Sequence, residues 1–368
     1  MELGVIMLTL AVLGRFALRI GIPTIPLFLL AGLFFGNGGI IPVDEAQPFI
    51  EIGASLGVIF LLFMLGLEYT PQELKHSMKT NVFAGVLDGL INVIPGIVVG
   101  FLLGWGALGA AVLGGITYVS SSGIIAKLLT DLGRLGNRET PLVLSILVIE
   151  DLVMAVFLPV LAVALSGGSL VTGIVSGLVS ALIVLVVLTF SPKLGGTLAR
   201  LLGGTSQEIV LLTLLGLATL VAGAAEYIHV SYAIGAFLLG IAISGQVAER
   251  ARELLQPLRN SFAALFFVYF GFEVVPSSLV DVALPAIGLA IASAGTKLFT
   301  GWFSAKRTGL SKKGSLRAAV TLIPRGEISI VLAGIGVASG LDTQLSSLVV
   351  AYVLLLAIGG SVAIRFVK

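Results

Sequence analysis

The sequence predicts an all-α polytopic membrane protein, and three features of its composition support this prediction. Of the 368 residues, 57% are hydrophobic and 11% are charged, less than half of the roughly 25% charged residues of soluble domains. The apolar residues fall in long blocks of about 20, which is the length that a helix needs to cross the hydrocarbon core. Glycine is frequent, at 47 residues, as it is in membrane helices.

About thirteen apolar spans are predicted along the chain. They cover roughly residues 3–19, 24–41, 49–69, 79–103, 107–129, 140–165, 170–190, 207–225, 230–246, 260–274, 282–303, 315–337 and 344–364. The connections that remain are short. We therefore expect a single transmembrane domain over residues 1–368 and no cytosolic regulatory domain.

The basic residues predict the orientation of these spans. Of the 21 Lys and Arg residues, all except Lys297 and Arg325 fall in or beside connections on one side of the predicted membrane. Since Lys and Arg accumulate in cytoplasmic loops, the N-terminus is predicted outside and the C-terminus in the cytoplasm. The expected location is the plasma (inner) membrane.

Two stretches of the chain resemble each other and predict inverted repeats. Residues 62–71 and 267–276 both read Gly, apolar residue, Glu, two residues and Pro, and Gly32 and Gly240 follow similar apolar runs one span earlier. An odd number of spans separates the copies, so their orientations in the membrane are opposite. Repeats over roughly residues 24–165 and 230–364 are therefore predicted, an architecture of transporters whose substrate site lies at the repeat interface.

Ionisable residues within the spans predict a functional site, because they are costly in a membrane. Glu150 and Asp151 lie near the middle of one span, and adjacent carboxylates cannot both stay ionised there without a cation or a basic partner. Such a pair can bind a monovalent cation when it is ionised and a proton when it is not. Lys297 is predicted to pair with Glu150, which leaves Asp151 as the ligand of the transported ion.

Two spans are predicted to be discontinuous and to cross. One contains Ser120, Ser121 and Ser122 between glycines, and the other contains Pro324-Arg325-Gly326-Glu327. The three serines would supply hydroxyl or carbonyl oxygens to an alkali cation, or would pack helices closely as small residues do. Arg325 and Glu327 would neutralise helix dipoles at the crossing or pair with nearby groups.

The remaining polar residues of the spans allow more than one interpretation. Asp88 and Asn92 are four apart on one helix face, where they would line a water-filled approach to Asp151 or form a buried polar pair. Four residues at predicted membrane edges are interpreted as solvated: Glu68, Glu226, His229 and Glu273.

Together these residues resemble the bacterial monovalent cation:proton antiporters, in particular the Kef-type and Nap-type branch. The matching segments are Leu61–Glu68, Ser120–Leu132, Leu144–Ala155, Gly235–Ser244, Leu258–Glu273 and Leu316–Ala333. The resemblance implies thirteen spans, a scaffold domain, a mobile core with crossed broken helices, elevator-type alternating access and a homodimer.

The resemblance also implies roles for individual residues. Asp151 matches the aspartate that binds the cation and the proton, and Lys297 matches the lysine that pairs with the preceding carboxylate. Glu150 departs from the Asp, Asn or Gln of related antiporters and leaves the stoichiometry open. Ser122 stands where Thr is expected. Kef-type proteins often carry a cytosolic nucleotide-binding domain, so regulation by a truncated domain or a separate subunit is expected.

The predicted function is exchange of protons for a monovalent cation, with K⁺ favoured over Na⁺, and a cation channel is the alternative. An intramembrane aspartyl protease is excluded because the required GxGD segment is absent. Cysteine is absent too, and the two histidines form no HExxH motif. We therefore expect no enzymatic activity, no tightly bound cofactor and no nucleic-acid partner.

Overall fold

A computed structural model describes most of the chain. The described residues are 1–21, 24–36, 39–43, 45–67, 71–165, 167, 197, 206–227, 232–243, 246–272 and 274–367. These residues contain helices and connections but no strand. The all-α prediction is therefore confirmed for the described part of the chain, and the span predicted at 170–190 lies outside it.

Sixteen helices lie within the described residues. They are α1 (Glu2–Ile20), α2 (Ile25–Phe35), α3 (Gln47–Leu67), α4 (Pro71–Asn92), α5 (Ile94–Leu102), α6 (Gly106–Tyr118), α7 (Ser122–Asp131), α8 (Thr140–Leu165), α9 (Gln207–Tyr227), α10 (Tyr232–Ala242), α11 (Gln246–Phe272), α12 (Ser278–Asp281), α13 (Ala283–Arg307), α14 (Lys312–Thr321), α15 (Glu327–Ala338) and α16 (Gln344–Phe366).

Several of these helices are long and apolar enough to cross a membrane. Within the described residues there are 8 such segments, so the chain is a multi-pass membrane protein. Other predicted spans correspond to shorter helices: α2 and α10 have 11 residues each, and α14 and α15 are two halves of one broken span. The number thirteen therefore stays a prediction.

The chain divides into two compact units. The first comprises Met1–Ala46, Ser77–Met154 and Phe267–Lys368, and the second comprises Gln47–His76 and Ala155–Phe266. Each unit contains segments of both predicted repeats. Two interwoven repeats would produce this division, whereas repeats folded one after the other would not.

The second unit packs α3 against α9, α10 and α11 through buried apolar side chains. Its core contains Phe63, Met64, Leu67, Val210, Leu214, Ala218, Ala236, Ile243, Val247, Ala248, Ala251 and Leu255. Arg252 donates to the carbonyl oxygen of Leu67, so a cationic side chain meets the C-terminal end of α3.

The first unit contains both predicted broken spans. The first span stops at Tyr118 and resumes at Ser122, and the second stops at Thr321 and resumes at Glu327. Ser121 N donates to the carbonyl oxygen of Pro324 at 2.9 Å, so the two spans meet where both are interrupted. The prediction of two crossed discontinuous helices is therefore confirmed. Pro324 lacks an N–H and disfavours helical geometry in the residue before it, which accounts for the second break.

Glycines of the repeated motifs form two close backbone contacts. In the first unit, Gly32 on α2 faces Gly271 on α11, and a Cβ atom on either would collide with the other's backbone. In the second unit, Gly240 on α10 faces Gly66 on α3 in the same way. Gly32 and Gly240 lie on the earlier span of their respective repeats. Each contacts the glycine on the later span of the other repeat. This reciprocal pairing is what two inverted copies of one motif would give.

Candidate cation and proton site

Glu150 is held by hydrogen bonds to the first break and by an ion pair. It lies on α8 and is 1% exposed. The backbone N–H of Ser120 donates to its Oε2 at 2.5 Å, and the hydroxyl of Ser120 donates to its Oε1 at 3.1 Å. Its carboxylate is therefore fixed against the break of the first discontinuous span.

Lys297 lies on α13 with no exposed surface, and it has two acidic partners. Its Nζ is 2.7 Å from Glu150 Oε1, the predicted pairing, and 2.5 Å from Asp88 Oδ2 on α4. All three side chains are at least 99% buried. Both carboxylates share this one buried ammonium group, so the three side chains form a single electrostatic unit.

Asp88 and Asn92 lie side by side, as their spacing predicts. Asn92 Nδ2 donates to Asp88 Oδ1 at 2.9 Å, and the hydroxyl of Thr300 donates to the same oxygen at 2.9 Å. Neither Asp88 nor Asn92 has exposed surface. Their role in an access path stays a prediction. The contacts observed here are those of a buried network that holds Lys297.

The three serines have different surroundings at the break. Ser120 also donates to the carbonyl oxygen of Leu322 in the other broken span, at 3.1 Å. The hydroxyl of Ser121 accepts from Ile124 N at 3.3 Å and so begins α7. The hydroxyl of Ser122 is buried and has no hydrogen-bond partner among the described residues. A buried hydroxyl without a partner suits an ion or water ligand.

Arg325 lies in the second break and is fully buried. Its guanidinium donates to the carbonyl oxygens of Leu322 and Ile323 at 2.9 Å and of Thr117 at 3.0 Å. These carbonyls lie at the C-terminal ends of α14 and α6, where helix dipoles are negative, so one cation stabilises both half-helices. The predicted dipole role is therefore consistent with the geometry. The side chain of Glu327 lies outside the described residues.

Asp151 lies beside Glu150 on α8 and is 3% exposed. Among the described residues, the buried charged groups around the two breaks are Asp88, Glu150 and Asp151 against Lys297 and Arg325. Three carboxylates against two cationic side chains leave one formal negative charge. One bound monovalent cation or one proton would neutralise it, and this is the chemistry that the cluster allows.

The four predicted edge residues are not described at side-chain level. Glu68, His229 and Glu273 lie outside the described residues, as does the side chain of Glu226. Their interpretation as solvated groups stays a prediction.

A polar face on α13 was not predicted from the sequence. Ser293, Lys297, Thr300 and Ser304 recur at intervals of three and four residues, and all four are buried. Ser293 is 3.1 Å from Arg325 Nη2 and 2.7 Å from the hydroxyl of Tyr352. The helical spacing of the α13 residues could have predicted this polar face from the sequence. The contribution of Tyr352 from the last helix had no comparable signal.

This combination of fold and site is that of a secondary transporter. Discontinuous helices that meet inside a membrane expose backbone ends, and such ends are tolerated where they serve an ion or substrate site. Here the two breaks meet beside buried carboxylates. The class of protein is therefore an ion-coupled carrier.

Comparison with known proteins identifies the family. The family described as "Sodium/hydrogen exchanger, transmembrane" matches residues 5–368. The K(+)/H(+) antiporter subunit KhtU of Bacillus subtilis is 35% identical, over 98% of this chain and 91% of KhtU. The ammonium/H(+) antiporter subunit AmhT of Alkalihalophilus pseudofirmus is 30% identical, over 91% of this chain and 86% of AmhT.

The fold has a solved counterpart as well. The sodium proton antiporter MjNhaP1 of Methanocaldococcus jannaschii superimposes with a TM-score of 0.71 at 19% identity, over 98% of this chain and 94% of that one. This chain belongs to the sodium/hydrogen exchanger family. It is a cation/proton antiporter rather than an enzyme, as the sequence predicts.

Proposed function

We propose that this antiporter exchanges protons for K⁺ and that Asp151 binds the two ions in alternation. The observation that supports the proposal is the buried acidic cluster beside the crossing, in which the described residues have one formal negative charge in excess. A cation and a proton that neutralise the same charge exclude each other. Competition for one site is sufficient for exchange.

The proposed cation ligands are oxygen atoms around the first break. Asp151 and Glu150 would supply carboxylate oxygens, and Ser120, Ser121 and Ser122 would supply hydroxyl or carbonyl oxygens, which are the ligands that alkali cations prefer. Lys297 and Arg325 would act as fixed counter-charges. The cycle requires no cofactor beyond the transported ions.

The choice of K⁺ as the transported cation rests on the names of two relatives. KhtU is named for K⁺ and AmhT for ammonium, two cations that are larger than Na⁺. Na⁺ remains the second candidate ion.

Transport is proposed to follow an elevator-type cycle. The first unit contains the whole buried cluster, so it is the unit that would carry the ion across. We further propose a homodimer in the plasma (inner) membrane, with the N-terminus outside and the C-terminus in the cytoplasm. A separate regulatory subunit is also proposed, because KhtU and AmhT are both named as subunits.

A proteoliposome assay tests the ion and the site together. Uptake of ⁸⁶Rb⁺ driven by an imposed proton gradient should be inhibited by unlabelled K⁺ more strongly than by Na⁺. Asp151→Asn should abolish uptake. Asp342→Asn is the matched control, because it removes the same charge from an exposed residue.

Three results would contradict the proposal in different ways. Uptake by Asp151→Asn at the parent rate would exclude Asp151 as the shared site. Stronger inhibition by Na⁺ would reverse the ion assignment. Single-channel currents that persist without a proton gradient would indicate a cation channel instead of an antiporter.

A further inference from the structure

The C-terminal end of α13 carries basic and aromatic side chains that have no role in the site described above. Lys306 Nζ lies 4.9 Å from the ring centre of Trp302, and Arg307 Cζ lies 3.9 Å from the ring centre of Phe83 on α4. All four side chains are exposed in the first unit. We call Phe83, Trp302, Lys306 and Arg307 the α13 surface.

The charged residues of the local sequence around this surface are all basic. From residue 282 to residue 326 the chain contains Lys or Arg at seven positions and neither Asp nor Glu; of these seven, Lys297 and Arg325 are buried in the site and Arg317 pairs with Glu139. Lys312 and Lys313 continue the exposed positive charge just after the α13 surface, at the start of α14. A surface of this charge is complementary to an anion.

The rings indicate the depth at which that anion would lie. Exposed Trp and Phe side chains beside Lys and Arg are typical of the membrane–water boundary, where the rings contact acyl chains and the cations reach the headgroups. Phe299 and Phe303 stack on the same helix at 5.9 Å between ring centres and continue the apolar side toward the predicted membrane centre. Ring and cation together match a phospholipid with an anionic headgroup.

We propose that the α13 surface binds an anionic phospholipid, with the headgroup phosphate at Lys306 and Arg307 and the acyl chains along Trp302 and Phe83. The lipid would attach to the helix that carries Lys297. Lys306 follows Lys297 by nine residues, about 14 Å along a helix. A lipid bound here would therefore fix the end of α13 and the start of α14, one half of a broken span.

The two tryptophans of the chain allow a direct test. Trp105 lies at the other end of the predicted spans, and Trp105→Phe leaves Trp302 as the single tryptophan, which can be excited selectively over tyrosine. In vesicles of phosphatidylcholine with brominated phosphatidylglycerol, Trp302 should be quenched more than with brominated phosphatidylcholine at the same mole fraction. A local enrichment of roughly fivefold is the scale expected for a basic residue at an anionic surface. Both leaflets contain the probe, so the result does not depend on orientation.

Charge-removing variants distinguish lipid binding at the α13 surface from a general attraction of anionic lipids to basic residues of the protein. Lys306→Gln/Arg307→Gln should reduce quenching by brominated phosphatidylglycerol to the phosphatidylcholine level. Arg15→Gln/Arg19→Gln, which removes two exposed cations from α1, should leave the difference intact. Unchanged quenching by brominated phosphatidylcholine in each variant shows that the surroundings of Trp302 are preserved.

Two results would overturn the proposal. One is equal quenching by the two brominated lipids in the Trp105→Phe protein. The other is protection of Lys306 from an amine-reactive reagent by soluble polyglutamate but not by phosphatidylglycerol, which would assign the surface to an acidic protein. Neither result would affect the antiporter assignment, which is measured by ⁸⁶Rb⁺ uptake.

Discussion

Lys297 is the residue on which the buried network depends most. Its ammonium group is within 2.7 Å of a carboxylate from α4 and within 2.7 Å of a carboxylate from α8, and no part of it is exposed. A buried lysine with a single acidic partner has no counter-charge once that partner is neutralised. With two partners, Lys297 would keep Asp88 as a counter-charge if Glu150 were neutralised.

Lys297→Met should destabilise the protein more than Asp88→Asn. The Met variant leaves two buried carboxylates without a cation, whereas the Asn variant leaves Lys297 paired with Glu150. Breaking a buried ion pair by removing one partner costs about 3–5 kcal/mol. Thermal unfolding of the detergent-solubilised protein, followed by loss of the size-exclusion peak, measures the difference.

The double variant Lys297→Met/Asp88→Asn serves as the control for this comparison. It removes one of the two carboxylates that Lys297→Met leaves without a cation. Its melting temperature should therefore lie above that of Lys297→Met. Equal losses in Lys297→Met and Asp88→Asn would show that the two carboxylates do not share the lysine's charge.

The pairing of Lys297 with Glu150 could be predicted because an isolated charge inside a membrane needs an opposite charge. Its pairing with Asp88 could not. Asp88 and Lys297 are 209 positions apart, and sequence patterns give helices but not which of their faces meet. The hydrogen bonds of Thr300 and Tyr352 escaped prediction for the same reason.

At the scale of the elements, the close approach of the two broken spans depends on Gly326. A Cβ atom at this position would lie 2.5 Å from Ser121 Oγ and 2.8 Å from Ser121 Cβ. Ser121 cannot turn away without loss, because its hydroxyl accepts from Ile124 N and its own N–H donates to Pro324. The crossing therefore leaves no room for a side chain at residue 326.

Gly326→Ala should lower both the melting temperature and the ⁸⁶Rb⁺ uptake rate, because the two breaks must separate to admit the methyl group. Overpacking of this kind typically costs about 1–3 kcal/mol. Gly334→Ala, on the helix that follows this break, is the matched control: its Cβ would meet only Phe270, at 3.9 Å, and alanine favours a helix. Similar behaviour of the two variants would contradict a tight crossing.

A second contact between elements fixes the end of α16. Arg134, in the connection between α7 and α8, donates to the carbonyl oxygens of Ile364 at 3.0 Å and Val367 at 2.8 Å. The same connection contains Glu139, which pairs with Arg317 on α14 at 3.3 Å. One short connection thus contacts both the last helix and a half-helix of the crossing.

Arg134→Gln should accelerate amide hydrogen exchange in residues 361–367, because the last carbonyls of α16 lose a cationic cap and the final turn frays. Arg138→Gln changes an exposed arginine in the same connection and should leave this exchange unchanged. Hydrogen exchange followed by mass spectrometry measures both variants. Unaltered exchange in Arg134→Gln would show that the final turn is held by other contacts.

The breaks themselves were predictable at this scale, whereas their contact was not. Glycine, proline and a run of serines indicate where a membrane helix is interrupted. They do not indicate that Ser121 meets Pro324 rather than a neighbour. The end of α2 at Phe35 also escaped prediction, because the apolar Ile40 and Ile41 follow a few residues later.

At the scale of the whole molecule, the one formal negative charge in excess among the described buried residues of the site has a consequence for transport. A site that holds either one monovalent cation or one proton, with Lys297 charged throughout, moves the same charge in both directions. Exchange should then be one for one, and an imposed potential should not change its rate. If an extra charge moved, each 100 mV would contribute about 2.3 kcal/mol.

Proteoliposomes give the measurement, with ⁸⁶Rb⁺ as the transported ion and an inward thiocyanate gradient to set the inside-negative potential, so that no K⁺ competes for the site. The initial rate of proton-coupled uptake should be equal at zero and at an imposed inside-negative potential. A rate that increases steeply with potential would mean that Glu150 also carries a proton through the cycle.

The two glycine contacts have a consequence for the origin of the chain. Gly32 with Gly271 and Gly66 with Gly240 are one contact made twice with the roles of the copies exchanged. A half-length polypeptide inserted in both orientations would make this contact twice in an antiparallel pair, without a linker. Duplication and fusion of the gene for such a polypeptide would preserve both contacts.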